Sequence, residues 1–318
     1  MSRSDKVAYF PVSAFTVVMG LAGFAMAVRS AEYQQLINLR VSPLLMLLAV
    51  VLFITISAVY LFKLVRFPQA VRAEFHHPIK LQFFPAISIS LILVGSMLVP
   101  GTPVIASWLW GAGALLHLVF TLLVLNAWLH RSGIEIVHSN PSWFIPVVGN
   151  ILVPIGGVSM APLEVSWFFF SIGLLFWLIL FSIIFYRLVF HAPMPGKLVP
   201  TLAILLAPPA VGFISYVLLN GAVDNFARIL YYAALFILML LLSQTGRFLR
   251  LRFALSTWAY SFPLAAMTVA STVMLEHTGM RLFYLLSTTL LMLLVVIIAL
   301  LLVRTISAIR RDEICVPD

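Results

Sequence analysis

The sequence predicts an all-α integral membrane protein. Ten transmembrane helices are paired as five helical hairpins, the odd-numbered kinked helices forming an inner pore ring and the even-numbered helices an outer ring, in one domain over 1–318. Three observations carry this prediction. The composition is 63% apolar and 9% charged, against roughly 45–50% and about 25% in soluble domains, so the chain holds more apolar surface than a water-soluble fold can bury. The apolar residues come in long runs without strand-like alternation, which suits bilayer helices of about 20 residues and not barrel strands. Prolines then fall in alternate runs, as an internal repeat would place them.

The spans follow in order, because an ionised side chain at mid-bilayer is costly and so marks a span end. Span 1 (10–28) lies between Arg3 and Lys6 on one side and Arg29 on the other. Its Ala25-Met26-Ala27 end imitates a signal-peptide cleavage site. The apolar stretch from Val7 to Val28 exceeds the about 7–15 residues of a signal core and has no polar region before that site, so it is read as a retained helix. Span 2 (41–62) has Pro43 in its first turn and is closed by Lys63 and Arg66. Span 3 (83–99) follows Arg72 and Lys80 and carries Pro85, and span 4 (103–129) begins at Pro103. Leu81 to His130, which covers both, has no Asp, Glu, Lys or Arg. Span 5 (143–161) contains Pro146 and Pro154, and span 6 (165–186) is free of proline and ends at Arg187. Span 7 (198–220) contains Pro200, Pro208 and Pro209, and span 8 (228–245) has none. Span 9 (253–275) contains Pro263, and span 10 (281–303) runs without proline to Arg304.

With a cytoplasmic N-terminus, only Arg29, Arg40, Arg228 and Arg281 among the 19 basic residues fall on the outer side. The positive-inside rule therefore predicts a multi-pass protein of the plasma (inner) membrane with both termini cytoplasmic. The net charge of +9 and the pI near 10.1 express that orientation, and no nucleic acid is expected as a partner. Lipid is.

Proline inside a helix removes a backbone hydrogen bond and bends the axis. Backbone groups freed in this way cannot face lipid; they are tolerated within protein or beside a water-filled cavity. The odd spans are therefore predicted inside, with their glycines (Gly20, Gly23, Gly95, Gly149, Gly156, Gly157 and Gly212) packing closely. Pro154, Pro208 and Pro263 each lie about ten residues into a span, roughly 15 Å deep at 1.5 Å per residue, which predicts a waist near the midplane.

The interiors of the predicted spans carry no acidic or basic residue, whereas ion-coupled carriers usually place one there. His117 is the only mid-span histidine, and its even span assigns it to packing. A neutral throat still favours anions, since helix N-termini and exposed amides present partial positive charge while cations find no carboxylate ring. Ser13, Thr16, Ser88, Ser90, Asn150, Ser215, Ser261 and Thr268 are candidate donors, each also able to bond its own helix. Enzyme classes lack their signatures: no Walker A, G-x-S-x-G or CxxC pattern occurs. The lone Cys315 makes no intramolecular disulfide, and the adjacent His76-His77 pair is poor geometry for a metal. No metal or cofactor is expected.

Five segments together resemble a known family, the bacterial tellurite-resistance protein A and plant slow anion channels, within the tellurite-resistance/dicarboxylate transporters. They are Gly20-Leu21-Ala22, Arg72-Ala73-Glu74-Phe75-His76-His77-Pro78, Asn140-Pro141-Ser142-Trp143-Phe144, Leu206-Ala207-Pro208 and Trp258-Ala259-Tyr260-Ser261-Phe262-Pro263-Leu264. The resemblance implies five hairpins around a pore, a homotrimer with one pore per protomer, and a span 9 phenylalanine, matched by Phe262, that plugs the pore at mid-membrane. A phenyl ring in a narrow throat excludes water, so an ion must shed hydration to pass. The pore-lining or kink candidates beside this gate are Phe15, Thr16, Gly20, Pro85, Pro154, Pro208, Phe213 and Pro263. The family's first helix often has a mid-helix proline that is missing from Phe15-Thr16-Val17-Val18-Met19, which predicts a straighter span 1. The expected function is a gated passive channel for small anions such as chloride or nitrate. The alternative is a carrier or exporter of tellurite, sulfite or a malate-like C4-dicarboxylate.

Overall fold

The computed structural model describes residues 3–316, so the outermost residues of the predicted 1–318 domain (1, 2, 317 and 318) lie outside the described part. The described residues are helical and contain no strand, and ten helical stretches are long and apolar enough to cross a membrane. Span 1 is Val12–Tyr33, span 2 Ser42–Arg66, span 3 Lys80–Leu98, span 4 Pro103–His130 and span 5 Pro141–Met160. Span 6 is Leu163–Phe190, span 7 Val199–Asn220, span 8 Asn225–Leu242, span 9 Leu255–Thr278 and span 10 Arg281–Arg310. The predicted bounds hold to within a few residues except at two ends. Span 1 continues past Arg29, and span 10 continues past Arg304, because a long side chain can carry its charge beyond the apolar layer without ending the helix.

The two sets of spans differ in backbone. Each even span is one continuous α-helix, with proline confined to the first turn at Pro43 and Pro103, where no donor is lost. Every odd span instead opens with a 3-10 segment, Val12–Ala14, Lys80–Phe83, Pro141–Trp143, Val199–Leu206 or Leu255–Tyr260. This revises the role of the prolines. Pro85 and Pro154 open α-helical segments directly after 3-10 turns, and Pro208 and Pro263 lie in the first turn of theirs. They mark the junction where a tighter helix relaxes into an α-helix, a site that tolerates a missing N–H, rather than kinking a continuous helix. Span 1, which has no such proline, is unbroken α-helix from Phe15 to Tyr33. Spans 7 and 9 both end on a glycine in the left-handed region, Gly221 (φ 76°) and Gly279 (φ 63°), which accepts that backbone without a Cβ clash.

Consecutive odd and even spans pack against each other, and the odd spans also contact one another in the order 1, 3, 5, 7, 9 and back to 1. Span 5 is the most broken, and side chains of its neighbours meet its carbonyls. Thr121 donates to Pro146 O at 2.7 Å, Trp110 Nε1 to Val153 O at 3.0 Å and Ser215 to Ile151 O at 2.6 Å. The freed backbone groups of this span are thus satisfied by spans 4 and 7, as a lipid-embedded chain requires.

The expectation of charge-free span interiors needs correcting at two helix ends. Lys63, in the last turn of span 2, is 3% exposed and pairs at 2.7 Å with Glu74, which is 7% exposed. Glu74 lies on the short helix Pro68–His76 and also accepts from Val12 N (2.8 Å) and the Tyr60 hydroxyl (3.1 Å), while Lys63 donates to Phe10 O (2.8 Å). Arg187, in the last turn of span 6, is likewise buried, and its Nε and Nη1 have no partner among the described residues.

Candidate functional site

Trp258 and Thr257 are buried where the 3-10 segment of span 9 docks, and Trp258 Nε1 donates to Thr305 of span 10 at 2.9 Å. That anchor fixes the turn from which Phe262 projects. A cavity of about 70 Å³, room for a few waters, lies against it, and its wall is drawn from all five odd spans. Span 1 gives Thr16 and Met19, span 3 Phe83 and Ile89, and span 5 Phe144, Ile145, Val148, Gly149, Ile151 and Leu152. Span 7 gives Ile204, Ala207, Pro208 and Val211, and span 9 Ser256, Trp258, Ala259, Phe262 and Pro263. Among the described residues no ionisable side chain and no side chain of an even span lines it. The wall comes from the first halves of the odd spans and, at Ile151, Leu152 and Val211, from just past their midpoints, so the cavity runs from the end where those spans begin toward the middle of the molecule.

The hydroxyls of the wall are committed to nearby carbonyls: Thr16 donates to Ser13 O at 2.6 Å, and Ser256 donates to Lys197 O. The same holds for other candidate donors. Ser88, Ser90, Ser261 and Thr268 each donate to a carbonyl three or four residues back, and Asn150 donates to Thr121 Oγ1 and Val147 O. The cavity therefore presents carbon to whatever enters. A permeant ion would lose water there without protein side-chain charge to replace it.

Phe262 is half-buried, on a helix where the residues around it are buried. Val269 and Val273, the other half-buried residues between 261 and 274, lie seven and eleven positions on, which at 100° per residue is the same helix face. The ring rests on span 1. A Cβ added at Gly23 would stand 3.0 Å from Phe262 Cδ2 and 3.1 Å from the Ala265 Cβ. One turn earlier, a Cβ at Gly20 would stand 2.1 Å from the Ser261 hydroxyl and 3.0 Å from the Trp258 ring. Two glycines on one face of span 1 thus let span 9 approach closely enough to seat the ring.

The structure brings Thr16, Pro208, Phe262 and Pro263 together in the cavity wall, with Gly20 directly behind span 9. It turns the others elsewhere. The Phe15 ring is buried edge-on against Phe53 and Tyr60 of span 2, at centroid distances of 6.4 and 5.9 Å. The Phe213 ring is buried against Tyr231 of span 8 at 5.4 Å. Pro85 and Pro154 are buried at their helix junctions outside the wall. His117 is fully buried, within 2.9 Å of the Ser88 hydroxyl, and packs behind Gly149, where an added Cβ would stand 2.8 Å from its ring. The sequence reading did not single out Gly23 as the ring's seat, although its i, i+3 pairing with Gly20 is a visible signal. Among the described residues no group of three or more His, Cys, Asp or Glu could hold a metal ion.

The family described as voltage-dependent anion channel matches residues 9–306. The S-type anion channel SLAH3 of Arabidopsis thaliana is 28% identical over 82% of this chain and 42% of its own length. An uncharacterized transporter of Methanocaldococcus jannaschii is 24% identical over 96% of both chains. The tellurite resistance protein TehA homolog of Haemophilus influenzae is 28% identical over 82% of this chain and 80% of its own. This chain thus spans less than half the length of the first of these plant relatives.

Proposed function

The chain belongs to the voltage-dependent anion channel family, and we propose that it is a gated, passive channel for small anions such as chloride or nitrate, closed at mid-membrane by the Phe262 ring. The observation that carries the reading is the central cavity: neutral, carbon-lined, walled among the described residues by the odd spans, and bounded by that half-buried ring. A throat without charge holds no ion tightly, which suits conduction more than carriage. Helix N-termini and the basic segments at the cavity end of the molecule supply the positive potential that selects anions over cations. The plant relatives named as anion channels support the same reading. With it go the plasma (inner) membrane, cytoplasmic termini, and a homotrimer in which each protomer has its own pore.

The test is anion current in voltage-clamped membranes for wild type and Phe262→Ala, in chloride, nitrate and malate. The expectation is a nearly closed wild type and a variant whose current is roughly tenfold greater or more, each factor of ten corresponding to about 1.4 kcal/mol off the permeation barrier, with reversal potentials that exclude cations. Equal currents would overturn the gate. The relative named for tellurite resistance supports a second reading, a carrier or exporter of tellurite, sulfite or a C4-dicarboxylate. Saturable flux with counterflow of bound substrate would decide for it.

A further inference from the structure

A second cavity, of about 260 Å³, lies among spans 7, 8, 9 and 10 and meets the central one at Pro263, and its wall includes Leu241, Phe248, Phe253, Tyr260, Ile297 and Arg304. It exists because span 8 stops at Leu242 and the chain crosses to span 9 through the short helix Thr245–Phe248 and the turn beyond it, leaving a slot above that crossing. Leu242, Leu249 and Leu300 in the wall are exposed, so the slot opens on the face that meets lipid.

Three features select an occupant. The upper wall is aliphatic and aromatic carbon, which takes an acyl chain. The lower end is cationic: Arg304 is in the wall, and Arg247, Arg250 and Arg252 alternate with the wall residues of the crossing. All four are exposed, and the ion pairs among the described residues, Lys6 with Asp312 and Lys63 with Glu74, involve none of them. The third feature is the Tyr260 hydroxyl, which belongs to the same wall and is buried without a hydrogen-bond partner. Such a donor is costly unless a ligand oxygen meets it. An apolar slot with exposed arginines beside it and an unmet hydroxyl in its wall has the chemistry that an anionic phospholipid complements, with its acyl chain, ester oxygens and phosphate. We propose that this crevice binds one anionic phospholipid from the leaflet on the arginine-rich side, its acyl chain in the slot, its phosphate on the arginines and an ester oxygen accepting from Tyr260.

Pro263 belongs to the walls of both cavities. A chain seated in the crevice therefore bears on the turn that carries Phe262, and the 3-10 segment Leu255–Tyr260 before that turn is a weakly bonded stretch that can yield. This coupling rests on the gating role proposed for Phe262; the binding site does not.

The test titrates the purified full chain with dioleoylphosphatidylglycerol or dioleoylphosphatidylcholine and counts bound lipid by native mass spectrometry. The anionic lipid should bind at least roughly fivefold more tightly, and Arg304→Gln should lose about fivefold, as expected for one cation at a lipid headgroup. Ile297→Trp keeps every arginine and fills the slot; it should abolish the retained lipid while the protein still elutes as a folded species. Equal binding of the two lipids overturns the proposal. So does undiminished binding by Ile297→Trp, which leaves only exposed arginines, or a changed subunit stoichiometry in that variant, which makes the crevice a contact between copies. Chloride flux in vesicles of each lipid reads the coupling. A difference of several-fold that Ile297→Trp erases supports it, and equal flux in a protein that Phe262→Ala does open overturns it without touching the gate.

Discussion

Span 9 is the least apolar of the ten spans and span 10 the most, yet 78% of an 18-residue stretch of span 9 is buried and only 33% of one in span 10. The other odd and even spans divide in the same way. In water the most apolar helix would be the most buried. In a bilayer the order reverses, because lipid solvates leucine as well as protein does, and helix contacts are made by small residues and hydrogen bonds instead. Gly20, Gly23, Ser88, Asn150 and Ser271 all lie on buried positions of odd spans. The lipid-facing spans keep their charge at the ends and their hydrogen bonds in one ladder. The inner ones give up a regular ladder, and their neighbours complete it.

The largest break in that contrast is Lys63 with Glu74, a charge pair buried where the neutral interior should begin. Lys63→Met should lower stability by roughly 3–5 kcal/mol, because it leaves a carboxylate buried with only Val12 N–H and the Tyr60 hydroxyl. The pair replaced together by Met and Leu should regain most of the loss. Thermal unfolding in detergent checks both, and a double variant no better than the single one would show that the pair holds the chain end in a way apolar packing cannot replace.

A smaller effect separates inner from outer glycines. Gly23→Ala places a Cβ 3.0 Å from the Phe262 ring and 3.1 Å from Ala265, and the overpacking should cost about 1–3 kcal/mol. Gly111, on span 4, has nothing within 4 Å of the same added atom. Gly111→Ala should therefore stabilise by up to about 1 kcal/mol through helix propensity alone. Equal unfolding midpoints for the two variants would mean that span 1 does not seat the ring.

The sequence made the alternation legible because proline and glycine act on the backbone of the residue that carries them. It could count ten spans, set all but two of their ends to within a few residues and separate five irregular helices from five regular ones. What it could not supply depends on partners distant along the chain. Glu74 lies in one of the segments that carry the family resemblance, but its partner Lys63 is eleven residues away across the turn at Phe67, with no period to link them. Arg187 read as the charge that ends span 6 and is a buried residue inside that helix's last turn. Phe15 and Phe262 were indistinguishable by type. Which of them faces the cavity depends on helix rotation, and rotation is set by Gly20 and Gly23 fitting span 9 and by Phe15 fitting Phe53 and Tyr60.

The smallest predicted effect lies at the start of an outer span. Asp224 caps span 8, accepting from Ala227 N at 2.9 Å and from the Tyr216 hydroxyl at 2.6 Å. The Ala227 N–H, followed by the Tyr216 hydroxyl, holds its carboxyl below the usual carboxylate range. A carboxyl depressed in the folded protein adds stability that is fully present above its unfolded value, near 3.8, and is lost as the pH falls through the folded one. Wild type should thus unfold at a slightly higher temperature than Asp224→Ala at neutral pH, and the gap should close only in strong acid. The cap is half-buried and serves one regular helix, so the variant should leave anion current through Phe262→Ala unchanged. A change in that current would mean that span 8, too, bears on the proposed pore.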